Sequence, residues 1–429
     1  MRIYSSEERM NISEKTRALA AKAESELREI FEAIDEVSRY RTEKLLDIYR
    51  ENRVSEGLFA ASTGYGYGDR GRDTIDKICA EVMGAEAGFM RPSILCGTHA
   101  ITIGLFALLR PGDVMLSVTG SPYDTLHSVV GMDGADGTGS LADFGVEYAE
   151  VPLGENGGID FEGMAAAFEK YKGRIKVVFI QRSKGYMDRK TLSVSEIGEA
   201  AAFAHSRLSN EHFVVLDNCY GEFCEKTEPC SCGVDLMIGS LIKNPGGGLA
   251  DVGGYLVGTQ KAVDLAGYRL TCPGVGLEVG ASLGQNRNLL RGLFYAPHTT
   301  AEALKTAHLA AYIFGELGYE VNPGPFEKRH DIIQTVKLET GDALVEFCRG
   351  IQSASPVDAF VSPEPWEMPG YDDHVVMAAG AFVGGSTMEL SADGPMRPPY
   401  IAFMQGGLTY ESARLAVMAA AERCGKKPQ

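Results

Sequence analysis

Three stretches decide the fold: Ile175-Lys176-Val177-Val178-Phe179-Ile180-Gln181, Phe213-Val214-Val215-Leu216-Asp217, and Leu236-Met237-Ile238-Gly239-Ser240, the last running on through Leu241-Ile242 to Lys243. Each is a short, nearly continuous apolar run, the signature of a strand covered on both faces. Between the first two, Ser195 to Leu208 reads as a helix with Ser193 or Ser195 as its N-cap. A further strand is expected at Gly253 to Val257. Strand and helix alternation of this kind predicts an α/β fold with a mainly parallel sheet flanked by helices. In such sheets ligands bind beyond the carboxyl ends of the strands. Asp217, Lys243 and Gly97 all follow predicted strand ends.

Working outward, residues 6–53 read as helix and form an N-terminal arm, and 73–83 form an amphipathic helix. A short apolar segment at 92–96 leads into Cys96-Gly97-Thr98-His99 and a helix to Leu109; Arg110-Pro111-Gly112-Asp113 is a turn and Val114 to Val118 a strand. A helix over Gln285 to Leu293 is expected to end at Pro297, with a second at 300–317. Beyond it come six prolines between 323 and 369, an alternating segment at Ile332 to Leu338 and a last helix at 411–423. The expected organisation is an arm (1–55), a large domain (56–295) and a smaller α+β C-terminal domain (296–429).

Lys and Arg number 41 against 58 Asp and Glu, a net charge of −17 over 429 residues. That field repels polyanions, so neither nucleic acid nor an anionic membrane is an expected partner. No apolar run approaches the roughly 20 residues that span a bilayer, and residues 1–20 lack the apolar core of a signal peptide. A cytoplasmic location is expected. Nine cysteines are spread along the chain without a CxxC; Cys219, Cys224, Cys230 and Cys232 lie close together, but their spacing is not that of paired zinc ligands. Reduced, packed thiols and no metal are expected.

Lys243 follows an apolar strand and precedes Asn244-Pro245-Gly246-Gly247-Gly248. Burial there would lower its pKa, as an imine-forming lysine requires. Asp217, a carboxylate at an apolar strand end, needs a partner to offset desolvation, and a protonated pyridine nitrogen would serve. Gly97 and Thr98 open a helix whose free amides could hold a phosphate, and the Ser240 hydroxyl could join them. An imine lysine, a pyridinium partner and a phosphate cup together suit pyridoxal 5'-phosphate.

These residues resemble the Cys/Met-metabolism group of pyridoxal-phosphate enzymes, and more closely its aluminium-resistance or methionine γ-lyase-like branch. The resemblance rests on an ordered series: Val177-Val178-Phe179-Ile180, Val214-Val215-Leu216-Asp217-Asn218, Ile238-Gly239-Ser240-Leu241-Ile242-Lys243, then Asp251-Val252-Gly253-Gly254. Gly64-Tyr65-Gly66-Tyr67-Gly68-Asp69, Cys96-Gly97-Thr98-His99-Ala100 and Pro111-Gly112-Asp113 fit upstream. Met396-Arg397-Pro398-Pro399-Tyr400 and Gln405-Gly406-Gly407-Leu408-Thr409 are similar to the closer branch.

The resemblance implies fold type I of these enzymes, with a seven-stranded-type sheet, and a homodimer or homotetramer with shared active sites. It implies that Lys243 holds the cofactor as an internal aldimine, that Asp217 pairs with the ring nitrogen, and that Gly97, Thr98 and Ser240 bind phosphate. Tyr123 would stack on the ring. Tyr65 and Tyr67 fall near a Tyr-x-Arg that reaches a neighbouring subunit's phosphate; Tyr67 stands where the arginine would be, with Arg70 and Arg72 as its possible replacements. Arg397 would bind the substrate carboxylate, and Tyr123 or Tyr65 would assist the leaving group as an acid. The chain departs from the group after Gln181, where Arg182-Ser183-Lys184-Gly185-Tyr186 replaces a Pro-x-Asn-Pro turn. The activity implied is a carbon–sulfur lyase on a sulfur amino acid, of cystathionine β-lyase or methionine γ-lyase type. An aminotransferase, an aldolase and a non-catalytic oligomer on the same fold are the rivals.

Overall fold

A computed structural model describes residues 12–209 and 211–425. Seven strands form one sheet: β1 (Ala87–Arg91), β2 (Val114–Ser117), β3 (Glu147–Glu150), β4 (Ile175–Gln181), β5 (Phe213–Asp217), β6 (Leu236–Ser240) and β7 (Gly254–Gly258). Their order is β1-β7-β6-β5-β4-β2-β3. The five strands from β6 to β3 run parallel; β7 is antiparallel to both β6 and β1. β5 and β6 are buried along their whole length, which explains their unbroken apolar sequence. Apolar side chains pack on both faces: Val178, Ile180, Val214 and Leu216 in one cluster, Val177, Phe179, Val215 and Ile238 in the other.

The expected strands at 175–181, 213–217 and 236–240 form as read, and the helix between β4 and β5 spans Val194–Arg207. Its N-cap is Ser193, whose side chain accepts the Glu196 amide while Glu196 returns a bond to the Ser193 backbone. Upstream, the strand lies at Ala87–Arg91 rather than at 92–96, which forms the turn into the helix Gly97–Leu108. Ile94 is buried there, so its apolar character reflects packing of the turn. The helical arm is broken at Leu27, between Glu14–Glu26 and Arg28–Glu51; the part of that expectation over residues 6–11 lies outside the described residues. Pro297 does not end a helix. It lies inside one continuous helix, Asn286–Glu316, at a cost in lost backbone bonding that packing offsets: Leu293, Ala296 and Ala301 beside it are buried.

Contacts group the chain into two units, residues 40–297 and the described parts of 1–39 with 298–429. The second holds an antiparallel five-stranded sheet: β8 (Glu320–Asn322), β9 (Gln334–Lys337), β10 (Val375–Ala378), β11 (Ser391–Pro395) and β12 (Ile401–Gln405), in the order β10-β11-β12-β9-β8. The helices Gly341–Ser353 and Tyr410–Cys424 pack on each other, and Glu14–Glu26 joins the latter. Glu24 pairs with Arg414 at 2.6 Å, and the Ser13 amide donates to Glu422 at 3.0 Å. No described helix is long and apolar enough to cross a membrane.

Candidate active site

The site is built on the carboxyl ends of β4, β5 and β6. Asp217 closes β5 with 8% of its surface exposed, and its Oδ1 accepts the Cys219 amide at 3.1 Å. Burial pushes its carboxyl pKa up, opposed by that amide and by the positive charges of Lys243 and Arg189. Lys243 follows β6 by three residues. Burial acts to lower its pKa, but Tyr220, Cys219 and Asp217 outweigh burial and the net direction is upward. This corrects the expectation from burial alone: the half-buried lysine sits among groups that favour its ammonium. The Tyr220 ring centroid lies 3.5 Å from Nζ.

Ser240 ends β6 with 1% exposure, and its buried hydroxyl makes no hydrogen bond among the described residues. Gly97 opens its helix alongside; a Cβ there would stand 3.5 Å from Cys219 Sγ and 3.6 Å from Ser240 Cβ. The first bond of this helix runs from the Ala100 amide to the Cys96 carbonyl at 3.0 Å, so the Gly97 and Thr98 amides stand ahead of it without intrahelical acceptors. An orphaned hydroxyl beside two uncommitted helix amides fits a phosphate. A carboxylate buried at the adjacent strand end fits a cationic ring nitrogen. The residues present therefore suit pyridoxal phosphate.

Tyr123 is tied to the same strand ends. Its amide donates to Gln181 Oε1 at 2.6 Å, and Gln181 stands in register with Asp217. Its ring meets Tyr186 edge-on at 5.5 Å. Thr125, two residues on, exchanges a 2.7 Å hydrogen bond with the Thr98 hydroxyl. Lys243, Asp217, Ser240, Gly97, Thr98 and Tyr123 are thus brought together from four separate parts of the chain.

Tyr65 and Tyr67 lie on this unit, 74% and 71% exposed, their rings 5.5 Å apart. Arg72 braces their loop: Nη1 donates to the carbonyls of Gly66 (2.9 Å) and Gly280 (3.0 Å), and Nη2 pairs with Asp73 at 2.8 Å. Arg70 is exposed. Arg397 belongs to the other unit, where it pairs with Asp373 at 2.8 Å. Among the described residues no three His, Cys, Asp or Glu side chains group to hold a metal ion.

The departure after Gln181 contains groups that sequence reasoning did not assign. Arg182 and Lys184 are fully buried and Arg189 nearly so. Arg182 donates to Asn218 Oδ1 (2.8 Å) and to the Gly221 carbonyl (2.9 Å), and pairs with Glu225 at 2.8 Å. Lys184 Nζ donates to the Arg189 carbonyl at 2.5 Å, and Arg189 to the Gln181 carbonyl at 2.8 Å. Their closeness in sequence to Gln181 was the only available signal.

A family model described as Methionine gamma-lyase matches residues 16–425. The uncharacterized protein YnbB of Bacillus subtilis is 48% identical over 409 residues, covering 95% of this chain and 96% of that one. A solved carbon-sulfur lyase involved in aluminum resistance, from Clostridium novyi, is 44% identical with a TM-score of 0.92, covering 96% of each chain. More distantly, a methionine gamma lyase from Micromonospora echinospora (18% identical, TM-score 0.55, 82% of this chain and 86% of that one) shares the fold. So does the pyridoxal-5'-phosphate-dependent YhfS of Escherichia coli (16%, 0.58, 91% and 97%). The architecture is fold type I of the pyridoxal-phosphate enzymes, and the chain belongs to the methionine gamma-lyase family.

Proposed function

We propose that the chain is a pyridoxal-phosphate-dependent carbon–sulfur lyase acting on a sulfur amino acid, of cystathionine β-lyase or methionine γ-lyase type. The observation that carries this reading is the convergence of an ammonium, a buried carboxylate and an unpartnered hydroxyl at the ends of β5 and β6. The name of the Clostridium novyi relative supports the same reaction class.

In this reading Lys243 holds the cofactor through Nζ, Asp217 faces its ring nitrogen, and Gly97, Thr98 and Ser240 take its phosphate. The bound cofactor supplies an electron sink for the carbanion formed at the substrate's α-carbon. Asp217 keeps the ring nitrogen protonated, which sustains that sink. Lys243, once freed by the incoming amino group, accepts the α-proton at Nζ and can return it. Tyr123 flanks the site beside Gln181 and can supply a proton toward a departing thiolate. Arg397 is the proposed carboxylate ligand, Tyr65 and Tyr67 the proposed contributions to a partner subunit's site, and the assembly a homodimer or homotetramer.

The test is to incubate purified protein and added cofactor with cystathionine, cysteine and methionine, scoring 2-oxo acid, ammonia and thiol. Release of all three, lost in Lys243→Ala, supports the proposal. Exchange of an amino group without thiol release would replace it with an aminotransferase. Cleavage to an aldehyde would replace it with an aldolase, and cofactor binding without turnover with a non-catalytic oligomer.

A further inference from the structure

Tyr220 is held in an unfavourable backbone conformation directly beneath Lys243. Its φ is +72°, in the left-handed region that a residue with a Cβ seldom enters. Two contacts hold it there. The Gly221 amide donates to the Asn218 carbonyl at 2.9 Å, closing the turn after Asp217. Asn244, fully buried and adjacent to Lys243 in sequence, donates through Nδ2 to the carbonyls of Tyr220 (3.1 Å) and Glu222 (2.9 Å). The residue next to the lysine thus fixes the turn that carries the ring, and the ring centroid sits 3.5 Å from Nζ.

A ring face attracts an ammonium through its quadrupole and does little for a neutral amine. We propose that Tyr220 is a positioning residue for Lys243, its ring face providing the resting place of the free ammonium. The cofactor-free chain then presents a protonated lysine, and during turnover the same face receives Nζ while it carries the proton taken from substrate. The ionisable groups around Nζ are the Tyr220 hydroxyl itself, Cys219 and Asp217, with Arg189 acting on Asp217 and Glu222 on Cys219; the phenylalanine variant below separates that hydroxyl from the ring face.

The functional meaning rests on Lys243 being the cofactor lysine, but the test does not need the cofactor. Cofactor-free full-length protein is labelled with an amine-reactive reagent across a pH series, and modification of the Lys243 peptide is followed by mass spectrometry. Tyr220→Leu should label Lys243 roughly ten-fold faster at pH 8 than the wild type, while Tyr220→Phe, which keeps the ring, should match the wild type. Should the leucine variant fail to fold, a fluorinated phenylalanine at 220 keeps the shape and drains the ring face; it should also label faster. Unchanged labelling in the leucine or fluorinated variant overturns the proposal, as does a phenylalanine variant that labels faster than the wild type. If the protein never takes up pyridoxal phosphate, the functional assignment fails while this comparison of labelling rates still decides the role of the ring.

Discussion

Gln181 stands opposite Asp217 across β4 and β5, and the same side chain accepts the Tyr123 amide at 2.6 Å and donates to the Ser183 carbonyl at 3.2 Å. One amide therefore sets the loop carrying Tyr123 relative to the strand that carries the carboxylate. Gln181→Ala should remove the acceptor of the part-buried Tyr123 amide and lower stability by about 1–3 kcal/mol. Cofactor affinity should also fall, read as a weaker absorbance titration with added pyridoxal phosphate. Unchanged affinity would separate Tyr123 from the cofactor.

Ser240 yields a prediction whose sign depends on ligand. Its buried hydroxyl has no partner among the described residues, so Ser240→Ala should leave the cofactor-free protein as stable or slightly more so. With cofactor present the variant should lose a charge-assisted hydrogen bond, about 1.5–3 kcal/mol, or at least ten-fold in affinity. Thermal unfolding with and without pyridoxal phosphate reads both effects. An equal drop in Tm under both conditions would argue against the phosphate assignment.

Gly246 lies in the turn just after Lys243, where a Cβ would come within 1.7 Å of the Leu241 carbonyl oxygen and 2.8 Å of Ala250 Cβ. Backbone cannot yield as a side-chain tip can. Gly246→Ala should cost about 3 kcal/mol or more and lower expression of soluble protein. Gly112→Ala has nothing within 4 Å but sits at φ +91°, and should be the milder of the two in a denaturation midpoint.

His308 is buried with Nδ1 2.8 Å from the Pro325 carbonyl. Burial, reinforced by the Arg329 guanidinium, depresses its pKa from 6.5 to about 3. Below pH 6.5 the unfolded chain gains a proton there that the folded chain refuses until about pH 3. Stability should therefore fall with acidification across that window, by about 2 kcal/mol between pH 7 and pH 5. In His308→Gln that part of the slope should disappear from urea midpoints taken at the two pH values.

Glu222 works in the opposite direction. It is fully buried, Oε1 accepts the Tyr255 hydroxyl at 2.7 Å, and Oε2 has no partner among the described residues. Burial raises its pKa from 4.5 to about 8, so the folded chain holds a proton that the unfolded chain has released. Its contribution to stability is complete below pH 4.5 and lost as pH rises to about 8. Glu222→Gln should unfold at a higher temperature than the wild type at pH 8, with the difference shrinking toward pH 5. An equal offset at both values would refute a neutral carboxyl.

Much of the larger sheet was legible because its strands are covered on both faces and so carry unbroken apolar runs; 175–181 and 236–240 needed no tertiary information. β3 was missed because its burial is partial and its sequence, Glu147-Tyr148-Ala149-Glu150, is as polar as a loop. Pro297 was misjudged because proline's local cost is a property of the residue, whereas the packing that offsets it comes from neighbours distant in sequence. Lys243, Asp217, Ser240 and Gly97 could be singled out by their places after strands. Tyr220, Asn244 and Gln181 could not, since tyrosine, asparagine and glutamine carry no signature until a fold sets them beside an ionisable group.

By itself, the amino-acid order determined the alternation of strands and helices, and the placing of a lysine, an aspartate and a serine at strand ends, because apolar periodicity and turn chemistry act over a few residues. Only the tertiary structure decided that Tyr220 lies under Lys243, that Asn244 locks it there, and that the net push on the lysine's proton affinity is upward. Those outcomes depend on distances between groups far apart in the chain, and electrostatic and ring-face interactions follow distance in space.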